Sequence, residues 1–283
     1  NEPIVDVMFK YQNDMCYPNL LDWNLASNAI YHMVVAHAKV VDVFKKGNYQ
    51  GKIGTVLNHG HIYARSQHPA DLLAKHRVEL MMQLSYEEPL LLGKVNEEWL
   101  AFVKEYGAHI EVHEEDASFI ANNTISVLGL NIYSPERVKC PTYQRNSEAP
   151  ITFDSFSELY IMHGRQMNTD RGWEIYPKCL YDTLILMKEK YGNPEMRITE
   201  NGMGIQDEYR FRNKEGQIQD DYRIDYVKKH LKWAHKAIQE GVNLVGYNMW
   251  SFIDLWSPSN QFKNCYGFYE YDLKSGETKR KKS

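Results

Sequence analysis

The chain has no excess of basic residues. Its 33 Lys and Arg stand against 37 Asp and Glu, a formal net charge of −4. That removes the positive footprint a nucleic-acid binder carries. No apolar run approaches the ~20 residues of a membrane span, so no membrane partner is expected. Cysteine is scarce and scattered: Cys16, Cys140, Cys179 and Cys265 form no Cys-x-x-Cys pair. This reads as reduced thiols in a cytoplasmic protein. The sequence shows no internal repeat, no low-complexity segment and no glycine-rich phosphate loop after an early strand. The last absence weighs against a doubly wound nucleotide-binding sheet. His59-Gly60-His61 offers two imidazoles but no well-spaced third ligand, so it reads as a loop. The terminal run Lys279-Arg280-Lys281-Lys282 reads as a solvated tail.

What is present is aromatic. Aromatic residues make up 13% of the chain, with 20 Tyr and 6 Trp. That suits stacking on sugars or filling a core, and composition does not choose between them. At 283 residues the chain can bury one large α/β domain or two smaller ones.

The order of elements can be read from periodicity. Residues 4–21 read as a loop containing Pro18. Ile30, Met33, Val34, His37, Val40, Val41 and Phe44 recur at helical spacing, predicting a helix over 22–46 closed by Gly47. Apolar strands are predicted over 52–58 and 124–131, with helical patterns over 69–84 and 96–106. Residues 139–170 read as a long irregular connection, a length usually kept for functional loops. A helix follows from 172 onward, with Pro177 near its first turn. Next come a short strand delivering Glu200 into an Asn201-Gly202 turn, a helix stopped by Gly241, and an aromatic strand over 244–254. Alternating strands and helices with near-continuously apolar strands signal a parallel β/α architecture. The polar outliers Glu2, Asn58, Asn131, Glu200 and Asp254 fall at strand C-terminal ends, where (β/α) barrels keep their chemistry.

Three stretches carry a family resemblance: Asn1-Glu2-Pro3, Thr199-Glu200-Asn201-Gly202, and the aromatic run 246–254. Together they resemble glycoside hydrolase family 1, the retaining β-glycosidases, across essentially the whole chain. The resemblance implies a (β/α)8 TIM barrel, of which this chain covers the end of the fourth strand to the eighth. It implies Glu2 as general acid/base and Glu200 as nucleophile. Asn1 is then placed on the sugar's 2-hydroxyl, Tyr133 on the nucleophile with Asn131 beside it, and Trp250 under the glycone. Two carboxylates suffice for this chemistry, so no metal or organic cofactor is implied. Retention needs them about 5–5.5 Å apart, one ionised to attack the anomeric carbon and one protonated to release the leaving oxygen.

Substrate choice turns on the loop after Asp254. Members acting on unmodified sugars carry Glu-Trp there, and this chain has Ser257-Pro258. A carboxylate repels a phosphate dianion, whereas a hydroxyl donates to it. The substitution resembles the 6-phospho-β-glucosidase branch, in which a Ser, a Lys and a Tyr surround the phosphate. Tyr266 falls on the Tyr position, but the Lys position is Asn264, with Lys263 one place earlier. Either Lys263 reaches the phosphate as a point charge or Asn264 donates through its amide. Pro258 in place of the tryptophan favours gluco over galacto configuration.

The expectation is therefore a single catalytic barrel domain over 1–283, lacking the first three strands and the last helix. A second chain or a missing segment is expected to complete it, and the isolated chain is expected to be inactive. The substrate implied is a phosphorylated β-glucoside, a disaccharide or aryl glucoside delivered by a sugar phosphotransferase uptake system. Two alternatives stay open: a β-glucosidase for unphosphorylated sugars, and a non-catalytic sugar-phosphate-binding fragment.

Overall fold

A computed structural model describes residues 1–283 apart from Asp14, Pro258 and Ser259, so the configurational preference read from Pro258 lies outside the described residues. The chain divides into two compact units, one of residues 1–129 and 136–162, the other of residues 130–135 and 163–283.

The first unit opens on a helix, α1 (Pro3–Tyr11), where a loop was expected. Pro3 stands at its first position, where the missing N–H is no loss and the fixed φ is already helical. Ile4 and Val7 are buried. Helix α2 (Trp23–Lys46) follows the predicted boundaries, with Asp22 accepting the Leu25 N–H at 2.8 Å as its cap. Its inward stripe, including Ile30, Tyr31, Val34 and Val41, is almost fully buried. Such side chains contribute about 1.5–3 kcal/mol each on burial.

Strand β1 (Gly54–Asn58) lies within its predicted range. It is followed by β2 (Ile62–Ala64), α3 (Pro69–Glu79), a wide π-helical turn (Leu80–Leu84) and α4 (Ser85–Leu92). The wide turn keeps the apolar stripe facing inward, so the helical run continues beyond residue 84 with Tyr86 and Leu90 buried. Then come α5 (Glu97–Glu105), capped by Asn96, and α6 (Glu114–Asn122), a short helix with a single buried residue, Ile120, that periodicity did not reveal.

Strand β3 (Val127–Asn131) passes from the first unit into the second. Strands β4 (Glu136–Lys139) and β5 (Glu158–Leu159) form a small sheet with β2. The range 139–170, read as one irregular connection, is interrupted by a 3-10 turn (Phe153–Phe156), by β5 and by a further short strand at Met167–Asn168. Its Phe153 and Phe156 pack on Trp23, with ring centroids 6.2 and 5.5 Å away.

In the second unit, β6 (Met167–Asn168) and β7 (Trp173–Glu174) make a tight antiparallel pair. Helix α7 (Lys178–Tyr191) ends on Gly192 in the left-handed region, φ 72°, which suits a residue without Cβ. Strand β8 (Met196–Glu200), helix α8 (Asp221–Gln239) and strand β9 (Leu244–Tyr247) follow, and β8 pairs parallel with β9. Helices α7 and α8 pack on each other. The aromatic strand is shorter than predicted. After Tyr247 the backbone turns to the end of β8: Asn248 N–H donates to Ile198 O and Trp250 N–H to Asn201 O. The Trp250–Ser251 peptide bond is cis.

Strands β10 (Tyr269–Tyr271) and β11 (Thr278–Arg280) pair antiparallel near the chain end. The basic run is therefore not a solvated tail. Lys281 is fully buried, its ammonium bonded to Glu208 and, at 2.9 Å, to Asp254. Two internal carboxylates decide this, and nothing in the run itself signals it.

Candidate active site

The first unit presents Glu2. Its backbone lies in the left-handed region at φ 47°, ψ 55°, a conformation that costs of order 1–3 kcal/mol for such a residue. Hydrogen bonds on both sides hold it there. Glu2 N–H donates to Val56 O at 2.8 Å, and Glu2 O accepts from Val5 N–H at 3.0 Å. Asn58, at the end of β1, donates its amide to Glu2 Oε1 at 3.0 Å. The strand-end Asn58, noted in the sequence without a role, thus orients the expected acid. Asn1 is exposed.

The second unit presents Glu200 at the tip of β8. Tyr133 donates its hydroxyl to Glu200 Oε2 at 2.7 Å, and Ile132 N–H donates to Glu200 O at 3.0 Å. Asn131 accepts from the Thr199 hydroxyl at 2.7 Å, fixing the strand pair just below. The next residue, Asn201, is fully buried. It donates to Ile132 O and to Tyr226 Oη, and accepts from Tyr247 Oη. This scaffold residue was missed as such, because Asn201-Gly202 read as a turn. Gly202 is not in the positive-φ region. It is glycine because a Cβ there would sit 1.9 Å from Trp250 O. Gly204 has a parallel reason: a Cβ would meet the Tyr266 ring at 2.4 Å.

The remaining predicted residues divide. Tyr266 is buried, with its ring 6.4 Å from that of Tyr133, and its hydroxyl accepts from Arg171 Nε at 3.1 Å. Burial raises the Tyr266 phenol above its ordinary value; Arg171 opposes that and the charge of Glu200 adds to it. Asn264 is buried, and its Oδ1 has no hydrogen-bond partner among the described residues. Lys263 is exposed, with its backbone N–H on Asn260 O. Ser257 is half-buried and exchanges backbone hydrogen bonds with Gln261 at 2.9 and 2.7 Å. Trp250 is half-buried, its backbone tied to Asn201. Sequence reasoning missed Arg171 and Trp173. Trp173 lies in the run read as the opening of a helix, and its ring sits 5.1 Å from that of Tyr133.

Neither group of candidate metal ligands is empty-handed. His59 Nε2 meets Glu87 Oε1 at 2.8 Å with both side chains buried, and the His61 ring lies 4.6 Å from that of Tyr63. Ligand atoms of Glu208, Asp254 and Cys265 lie within 4.8 Å of one another, but the cation on both carboxylates is Lys281. Burial pushes the Cys265 thiol up to about 12, far from a thiolate at neutral pH. No helix among the described residues is long and apolar enough to cross a membrane.

Comparison with known proteins agrees with this geometry. The family described as Glycosyl hydrolase family 1 matches residues 1–283. The chain is 44% identical to the 6-phospho-beta-glucosidase GmuD of Bacillus subtilis, over 100% of this chain and 61% of that protein. It is 32% identical to the 6-phospho-beta-galactosidase of Streptococcus mutans, over 94% of this chain and 60% of the other. Among solved structures it matches the family 1 β-glucosidase of Thermotoga maritima in complex with isofagomine lactam. That match has a TM-score of 0.85 and 32% identity, over 100% of this chain and 60% of that one. The fold is a partial (β/α)8 barrel, and the chain spans about 60% of the length of the relatives it matches.

Proposed function

The chain belongs to glycosyl hydrolase family 1, and from that premise we propose that it carries both carboxylates of a retaining 6-phospho-β-glucosidase. The observation that carries the reading is Glu200 at the tip of β8, with the Tyr133 hydroxyl on its Oε2. In this mechanism the ionised Glu200 attacks the anomeric carbon. The bond to the leaving oxygen breaks as that oxygen takes the proton of Glu2, giving a covalent glycosyl ester on Glu200. Water then attacks the same carbon, Glu2 takes its proton, and Glu200 leaves as carboxylate. Asn58 keeps Glu2 oriented through both steps. Asn1 serves the 2-hydroxyl, Asn131 steadies the strand below the nucleophile, and Trp250 lies under the sugar.

The phosphate preference is supported by Ser257 where a carboxylate would repel a dianion, and by the likeness to two 6-phospho-glycosidases. We assign Ser257, Asn264 and Tyr266 to the phosphate. Asn264 is buried close to Tyr266 in the chain, and it would serve the phosphate through its side-chain NH2, the donor half of the amide. Lys263, being exposed, adds no more than a solvent-screened point charge. A phosphorylated substrate and four free cysteines suit a cytoplasmic protein.

The test is turnover of an aryl β-glucoside with and without a 6-phosphate by the protein that carries this chain. Preference for the phosphorylated form is expected. Equal or faster turnover of the plain glucoside favours the β-glucosidase alternative. Binding of sugar phosphate without turnover favours a non-catalytic module.

A further inference from the structure

Arg171 is a cation with most of its donors unspent. It sits beside Gly172 (φ 77°) in the tight connection between β6 and β7, where Gly172 N–H donates to Asn168 O at 2.8 Å. Two groups fix the guanidinium. Its carbon lies 4.2 Å from the centre of the Trp173 ring, and Nε–H donates to Tyr266 Oη at 3.1 Å. Both partners lead to the nucleophile. The rings of Trp173 and Tyr266 lie 5.1 and 6.4 Å from that of Tyr133, whose hydroxyl holds Glu200.

The nearest acid in sequence does not neutralise Arg171. Asp170 is taken by Arg210 at 2.8 Å and by the Gln206 N–H at 3.0 Å. Among the described residues Arg171 makes no ion pair, and its two Nη groups make no hydrogen bond. A guanidinium presents five donors in a planar fork matched to phosphate oxygens. Here one donor is used to orient the fork and four remain. Stacking on Trp173 restricts its rotamers, so less freedom is lost when an anion binds. By contrast Lys263, the cation expected from the sequence, is exposed and strongly screened.

We infer that Arg171 is the cationic ligand of the substrate's 6-phosphate, a fixed fork in the place of the lysine this chain lacks at position 264. The inference rests on the 6-phospho-β-glucosidase reading and adds a residue that sets specificity within it. Arg171 binds the phosphate directly, and Tyr266 positions the guanidinium while its ring flanks that of Tyr133.

The experiment is equilibrium binding of glucose 6-phosphate and of glucose by the protein that carries this chain, by calorimetry, for the unmodified protein, R171Q, R171K and K263Q. The unmodified protein prefers the phosphorylated sugar. R171Q loses that preference by about 10- to 100-fold, the effect of one charge-assisted fork, without a change in melting midpoint. R171K retains part of it, because the charge stays while the fork is lost. The preference of the unmodified protein also falls with added salt more steeply than that of R171Q. An R171Q protein that keeps the full preference overturns the inference while leaving the 6-phospho reading standing. Loss of the preference in K263Q in place of R171Q does the same. Equal weakening of glucose and glucose 6-phosphate in R171Q also overturns it, since that makes Arg171 only a support for Tyr266 and Trp173. An unmodified protein with no preference for the phosphate overturns the underlying reading first.

Discussion

Glu200 and Asp254 look alike in the sequence, each an acid at the end of an apolar, strand-like run in the second unit. The structure treats them in opposite ways. Asp254 is 8% exposed, accepts from Gly267 N–H and from the Lys281 ammonium, and shares that cation with Glu208. Glu208 in turn pairs with Arg223, which also holds Asp220. Three carboxylates and two cations are thus closed into one buried network. Burial raises the Asp254 carboxyl, and Lys281 works against that rise. Glu200 is half-buried, and the donor on its Oε2 is the neutral phenol of Tyr133. A carboxylate sealed against cations is committed to holding the fold. Glu200, half-buried with the Tyr133 hydroxyl on its Oε2, is the carboxylate proposed for chemistry.

The largest effect that can break this contrast is on reactivity. Glu200→Gln should abolish covalent ester formation and lower turnover by on the order of 10^4-fold or more. Its stability should fall by less than the about 3–5 kcal/mol expected on breaking a buried ion pair, since Glu200 is only half-buried. The adduct is read by intact mass after incubation with a slow-hydrolysing aryl 2-fluoro-glucoside 6-phosphate, and stability by urea unfolding. A variant that unfolds would place Glu200 in the structural class. Lys281→Met should do the converse. Removing one partner of a buried pair typically costs about 3–5 kcal/mol, because the remaining charges stay buried. The fraction still folded should form the adduct at Glu200 at the parental rate. Unchanged stability would show that the network is not the lock described here.

How far the sequence could foresee this contrast depends on which kind of physics each residue obeys. Glu2 and Glu200 stand out by residue type in two short motifs, and Tyr133, outside both, was picked by the resemblance alone; of that reading the structure shows the Tyr133 hydroxyl on Glu200. Helix α2 and strands β1 and β8 were legible because burial imposes a period. Helix α1 was not: its start on Pro3 looks like the end of a strand, and only Ile4 and Val7 mark its buried face. Gly202 was read as a turn glycine, which is not its reason, and Gly204 drew no reading at all. Their requirement comes from Trp250 O and the Tyr266 ring, brought there by tertiary folding. Lys281 and Arg171 were hidden for the same reason. Whether a cation is paired depends on distant carboxylates: Glu208 and Asp254 claim Lys281, and Arg210 claims the acid next to Arg171.

A smaller step sharpens the contrast from the reactive side. Tyr133→Phe removes the hydroxyl on Glu200 while leaving the ring that meets Trp173 and Tyr266. A hydrogen bond to a charged group contributes about 1.5–3 kcal/mol. The rate of ester formation should therefore fall by about 10- to 100-fold, with the thermal midpoint nearly unchanged. A rate equal to the parent would mean that Tyr133 supports the ring cluster and not the nucleophile.

His230 shows a third way to bury a titratable group, which is to keep it neutral. It is fully buried in α8, its Nδ1 faces Tyr226 O at 2.8 Å, and Nε2 has no hydrogen-bond partner among the described residues. A carbonyl accepts only from an N–H, so Nδ1 carries the proton and Nε2 is bare. Burial lowers the imidazole to about 4 from 6.5. With the folded value depressed, the unfolded chain binds the extra proton first. The contribution of neutral His230 is whole above 6.5, declines as pH falls, and is gone below about 4. His230→Phe cannot titrate, so the stability difference between parent and variant should change across that window. The slope should be at most about 1.4 kcal/mol per pH unit, and flat on either side. Urea midpoints of both proteins from pH 7 down to 4 measure it. A difference that stays constant through the window would mean that burial does not depress the His230 imidazole, and that neutrality is not what this buried site imposes.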